Sequence, residues 1–556
     1  MELSSNAKQE DPPLKTLTRG HTPQGGGLRK AALLALCLTI CDLGCGGGGG
    51  SSSQAVTPTS SSGTVSTLPS TSRVFTLSNP GSATYALVSS GVGSTDADTS
   101  TSTASILEQG TVDRLEGSQK AAATPPTPRL RDRVASRDKL KGYVRSSKAV
   151  RKSVNYDASP TLPFYISNSG TTVTLFNRTP GVGSNPGTRP TSIITYVEQV
   201  GGQDVINATD LQRAIDAWDT SNPFGATGNT GIYNTEHQIF GSEWTAGGGN
   251  DGDPRVVCCF LSTATIGESG LYGYVDLNDE LYPRGESQSN GGEIIYLQAQ
   301  PSSVSNFFQG DGFDGYATFA HELEHLIIFN TKVSQQGLFP AGAPEESPTI
   351  DEGNATLAED DCGFSLTASG GGNSFIAYAI NSYETTSQAS DGFFTFSANG
   401  QDYGKGYLFF KYIQDTLGAS AIYAIENDTG TGSANIARHV GQSFANQLQT
   451  SSIANYVSCF ASTAGYRYPD LNLAGTYSIH TNNNPADAVS QTLPGIVPSG
   501  SLAVNTAFND VIDAFSASFL NAFTGLGTGT ITVQQPSNMQ TSLVEVQAGT
   551  VTNVTF

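Results

Sequence analysis

The chain has 556 residues, with 63 Gly, only two Met and two Trp, and a formal net charge of −21. That length allows several domains and a large core, and the Gly content favours strands, turns and long loops. The charge is uneven: residues 120–152 hold 11 Lys and Arg against two acids, whereas residues 153–556 hold 10 basic and 38 acidic residues, a body that argues against nucleic acid or an anionic membrane surface as partner.

The amino-terminal end reads as an export signal. Arg19, Arg29 and Lys30 form a basic region ahead of the apolar run Ala31–Ile40, which is too short to span a bilayer. Leu43-Gly44-Cys45 and the Gly/Ser tract after it resemble a bacterial lipoprotein signal. The resemblance implies lipidation of Cys45, a signal over 1–45, and a bacterial cell-envelope or extracellular protein that meets the membrane through its lipid anchor alone. A cleaved signal without lipid is the alternative, with Cys41 as the competing cysteine. Residues 46–72 read as a flexible tether. Arg73–Ser90 alternates enough for a short β element, and 91–128 returns to low complexity. The basic stretch Arg129–Lys152 is a linker, or a propeptide end with Arg151-Lys152 as the processing point. Residues 46–152 are thus assigned to tether and linker, and the folded body to 153–495.

Within the body, Pro163–Ser167, Thr172–Phe176 and Ser192–Val200 read as strands. Thr209 or Asp210 can cap a helix through LQRAIDAW. Val256–Leu261 is a buried strand and Gly292–Leu297 the next. Helices follow over Tyr316–Phe329, Asp351–Asp361, Tyr403–Leu417 and Asn435–Leu448. Beyond Pro498, TGTITVQQ, SLVEVQAG and VTNVTF alternate as strands between turns, a small C-terminal β domain over 496–556. After the signal the cysteines are Cys258, Cys259, Cys362 and Cys459. Adjacent strand residues face opposite sides, so Cys258 and Cys259 do not pair with each other.

Residues 321–325 read His-Glu-Leu-Glu-His. Two histidines four apart on a helix share one face and can bind one metal ion. Glu322 then stands beside a water on that metal as general base, the H-E-x-x-H arrangement of zinc metallopeptidases. Glu324, two residues beyond Glu322, is expected to face solvent. A catalytic zinc needs a third protein ligand.

Asp351-Glu352-Gly353 begins 26 residues after His325 and resembles the segment carrying the third ligand in gluzincin metallopeptidases, where leukotriene-hydrolase-type aminopeptidases have Asn-Glu-Gly. The resemblance implies Glu352 as that ligand. Glu359, two helical turns on, would hold a ligating imidazole, or else belong to a solvated acidic face with Asp360 and Asp361. Asn330 closes the aminopeptidase-like motif. Tyr403-Gly404-Lys405-Gly406 is similar to the Tyr-x-Lys-Gly segment whose tyrosine stabilises the oxyanion, with Tyr407 and His439 as competitors. Ala217-Trp218-Asp219, Asn250-Asp251-Gly252-Asp253-Pro254, Gly273-Tyr274 and Glu293-Ile294-Ile295-Tyr296 are similar to segments of the hyicolysin-like peptidases. The likeness spans roughly Ser192–Pro469. It implies an α+β zincin (thermolysin-like) catalytic region over 153–495, a mixed sheet with active-site helices, bound Zn2+, and a protein or peptide substrate cleaved internally. The strand Glu293–Leu297 is expected at the sheet edge, pairing with that substrate. Ca2+ is a further candidate at Asp251 and Asp253, or at Asp276, Asp279 and Glu280, although neither loop has a full ligand set. A zinc aminopeptidase is the second enzyme reading, but Gly292-Glu293-Ile294-Ile295 lacks that family's Gly-x-Met-Glu-Asn pattern. A non-catalytic surface-binding lipoprotein on a peptidase scaffold is the third.

Overall fold

Six strands carry the helices that build the site. In spatial order they are Gly273–Val275, Ile294–Gln298, Val256–Leu261, Ile193–Val197, Thr171–Asn177 and Thr161–Ile166. The computed structural model describes residues 73–77, 83–98, 100–109 and 154–556, the last apart from 245–248, 250, 267–270, 286–287, 301–306, 335–345, 387, 463–465, 481–487, 499, 502–506, 525–528, 536–537 and 548–549. Residues 1–45, expected as a signal with Cys45 lipidated, and the basic segment lie outside the described residues, and no helix among the described residues is long and apolar enough to cross a membrane.

Of the four inner strands, Ile294–Gln298, Val256–Leu261 and Ile193–Val197 run parallel, and the remaining pairings are antiparallel. Parallel strands covered on both faces need apolar residues throughout, and all six residues of Val256–Leu261 are buried. Cys258 joins the large core on the helical face, whereas Cys259 joins the smaller cluster on the other face. Cys258, Cys259, Cys362 and Cys459 are free thiols. The edge assignment needs correction. Ile294–Gln298 is laddered on both sides, so Gly273–Val275 is the edge strand.

The helix carrying the pentapeptide runs Phe313–Lys332, and every one of its residues is buried. It packs against the edge strand and against helices Ala208–Asp219, Ile232–Ile239, Pro348–Asp361 and Ala419–Glu426. Aromatic contacts fix its seat: Phe319 lies edge-on to the buried Trp218 at 5.2 Å, a ring whose burial contributes about 1.5–3 kcal/mol. Asn207, rather than Thr209 or Asp210, caps Ala208–Asp219, accepting from both of their amides. The helix expected over Asn435–Leu448 is two, Gly432–Val440 and Phe444–Val457. They part at Gly441, whose φ of +73° ends the first, and at Ser443, which caps the second. Helices Ile232–Ile239, Ser374–Thr385 and Ala419–Glu426 join those expected.

The β body expected over 496–556 does not stand on those residues alone. Ala83–Gly91 lies between Ala517–Thr524 and Met539–Gln547, and Thr101–Gln109 lies between Ala507–Asp513 and Gly529–Gln534. The β element expected over Arg73–Ser90 is present as Arg73–Leu77 and Ala83–Gly91, whereas Thr101–Gln109, expected as low complexity, is an inner strand. The described residues all belong to one compact unit. The structure is α+β, with mixed sheets.

Candidate metal centre

Helical spacing puts His321 and His325 on one face of the Phe313–Lys332 helix, with ring centroids 4.9 Å apart. The crossing helix Pro348–Asp361 starts at a proline, which its first turn tolerates. It brings Glu352 to both imidazoles: Oε2 lies 3.2 Å from His321 Nε2 and 3.5 Å from His325 Nε2. The three side chains form a buried group able to hold a metal ion. Helix Gly400–Leu417 seats the second helix closely: a Cβ on Gly353 would lie 2.7 Å from the Gly406 carbonyl carbon.

Both imidazoles are fixed from behind. Glu359 Oε1 is 3.0 Å from His321 Nδ1, and Asp351 Oδ1 is 3.0 Å from His325 Nδ1. Glu359 is completely buried, so the solvated-face alternative does not hold. Asn373 donates through Nδ2 to Glu359 Oε2 at 2.6 Å while its Oδ1 caps Ser374–Thr385. One residue thus ties a helix start to the orientation of His321. Burial pulls the His321 pKa down, but hydrogen bonds to Glu352 and Glu359 outweigh it and the net shift is upward. Burial likewise opposes, and the charges of Asp351 and Glu352 dominate, a large upward shift at His325. The pocket is built to favour positive charge between these carboxylates.

Glu322 shares the helix and is fully buried. The edge strand passes directly over it. A Cβ on Gly273 would come within 2.8 Å of Glu322 Oε1 and 2.7 Å of Thr318 Cγ2, so glycine admits the strand backbone to the carboxylate. Glu324 departs from expectation. It is fully buried, its Oε2 3.6 Å from His325 Nδ1, because a helix enclosed on all sides has no solvent face. Burial, then the neighbouring Glu426, raises its carboxyl well above the usual range. Glu324, His325 and Asp351 form a second metal-competent group sharing His325.

Tyr403 is buried near the start of Gly400–Leu417, a helix opened by a capping box of Asn399 and Asp402. The Phe375 ring packs edge-on against Tyr403 at 5.2 Å and against His321 at 6.2 Å. Tyr403 thus borders the histidines across one ring. The two competitors are engaged elsewhere: Tyr407 donates to Asp360 and His439 Nε2 meets Asp428. Lys405 binds Asp391, Asp402 and two backbone carbonyls, a structural tie. Asn330 donates to the Ser242 carbonyl.

Neither calcium candidate gathers a metal-competent group among the described residues. Asp251 accepts from Tyr156 and from the Asp253 amide, and Asp253 pairs with Arg255. Asp276 caps a short helix, and Asp279 accepts from Tyr296 and the Asn290 amide. Their carboxylates serve turns and caps instead.

Sequence reasoning missed Asp351, Asn373 and Gly273. Asp351 directly precedes Glu352, but its role depends on a contact with His325 that the sequence pattern does not display. No protein-family model matches the chain, and no curated protein sequence matches it.

Proposed function

We propose that the chain is a zinc-dependent endopeptidase of gluzincin type, acting on protein or peptide substrates outside the cytoplasm. The observation carrying this reading is the convergence of His321, His325 and Glu352, with Glu322 beside them on the same helix. The donors suit Zn2+, which takes imidazole nitrogen and carboxylate oxygen and leaves a position open in catalytic sites. His325 Nε2 is fully buried and makes no hydrogen bond, a state that a metal at this position would relieve. When bound, zinc acidifies a water molecule and polarises the scissile carbonyl.

The chain's own residues do the rest. Glu322 accepts the water's proton and hands it to the departing amine. Glu359 and Asp351 hold the imidazoles in the tautomer that keeps each Nε2 free for the metal. An extended peptide adding to the outer edge of Gly273–Val275 would run past Glu322, its backbone bonds giving register without sequence preference. Tyr403 is the retained oxyanion donor, because Asp360 and Asp428 occupy its rivals.

A peptide blocked at both ends, offered beside one with a free amino terminus, tests the reading. Internal cleavage of the blocked peptide, lost with chelator and restored by zinc, is expected. Removal of single residues from free amino termini alone would establish the aminopeptidase alternative. Bound zinc without any cleavage would establish the binding-protein alternative.

A further inference from the structure

The strands at Ala83–Gly91 and Thr101–Gln109 come from a region that precedes the basic stretch Arg129–Lys152, the stretch that looks like a processing point. A removable propeptide would sit on the surface of the domain it leaves. These strands sit inside. Ala83–Gly91 is paired along its whole length with Met539–Gln547 on one side, and from Thr84 to Ser90 with Ala517–Thr524 on the other. Thr101–Gln109 joins two further carboxy-terminal strands, and Arg73–Leu77 extends the same sheet beyond Gly529–Gln534.

Side chains bind the segment to the helical body as well. Tyr85 through Ser90 are all buried. Gln449 on helix Phe444–Val457 donates to the Val88 carbonyl at 2.9 Å and to Ser542 at 3.0 Å. Helix Gly432–Val440 has no side-chain cap of its own at Thr431. Asp96 supplies one, its Oδ2 accepting from the Ser433 amide at 3.0 Å, where a carboxylate also complements the helix dipole.

We infer that residues 73–109 are a permanent structural part of the mature protein, and that a cut in the basic segment leaves two chains held together by strand insertion. Whatever is attached before Arg73, including a lipid on Cys45, then stays on the body after processing. Loss of the segment would strip inner strands from both sheets and expose unpaired edges on four carboxy-terminal strands.

The test places a site-specific protease sequence within residues 120–150 of the full chain and cuts it. Co-elution of both pieces by native size exclusion, with two bands on a denaturing gel, is the expected result. A separately eluting amino-terminal piece, with the remainder keeping the Tm of the uncut protein, would overturn the inference. Leu87→Asp, at the doubly paired centre of the inserted strand, is expected to release the piece after the cut. Undiminished co-elution in that variant would show that strand insertion is not what holds it.

Discussion

The metal binding and hydrolysis proposed at His321–His325 would depend on residues that do not themselves ligate the metal. Asp351 and Glu359 each take the outer nitrogen of one imidazole. Asp351→Asn is expected to weaken zinc binding by roughly 10- to 100-fold, measured by competition with a chelator of known affinity. Gly273→Ala pushes a methyl group into Glu322 and Thr318. Displacing a catalytic group by an ångström costs roughly 10²-fold, so kcat is expected to fall by that order while zinc content holds. The pentapeptide was legible because its residues lie four apart on one helix, and spacing fixes their face. Asp351 was not, because its partner is the outer nitrogen of a histidine 26 residues away. Glu324 was misplaced for a related reason: periodicity gives the angle of a side chain around a helix, but not what lies there.

At the scale of elements, the helix starts organise the site. Asn373 caps Ser374–Thr385 and holds Glu359. Asn373→Ala is expected to cost about 1–2 kcal/mol, seen as a lower Tm, and to loosen zinc through Glu359. The short helix Leu277–Leu281 has its own pH dependence. Burial, with Asp276 nearby, raises the Asp279 carboxyl from an ordinary 3.8 to about 8. The folded protein keeps that proton through a range in which the unfolded chain releases it. Stability contributed here therefore falls as pH rises from about 4 to about 8, and levels off above. Thermal melts are expected to show Tm dropping over that window in the wild type, and dropping less in Asp279→Asn. Most strands were legible from apolar runs or alternation. The edge strand was not, because Gly273–Val275 has three residues, too few to show a period, and the two-sided ladder of Ile294–Gln298 is a fact of pairing between distant segments.

At the scale of the whole molecule, strands within residues 73–109 pair with strands of the carboxy-terminal region in two sheets. Residues 101–109, rich in Ser and Thr, read as low complexity because their partners lie some 400 residues downstream. Pairing over such separations carries a large closure entropy and slows folding. Catalysis is proposed at the buried centre of His321, His325 and Glu352. Its most direct test is the comparison of wild type with Glu322→Gln, zinc supplied to both, in metal content and casein hydrolysis. About one zinc per chain in each protein, with hydrolysis by the wild type reduced at least about 100-fold in the variant, is the predicted result. Equal hydrolysis by the two proteins, or a wild type that takes up no zinc, would contradict it.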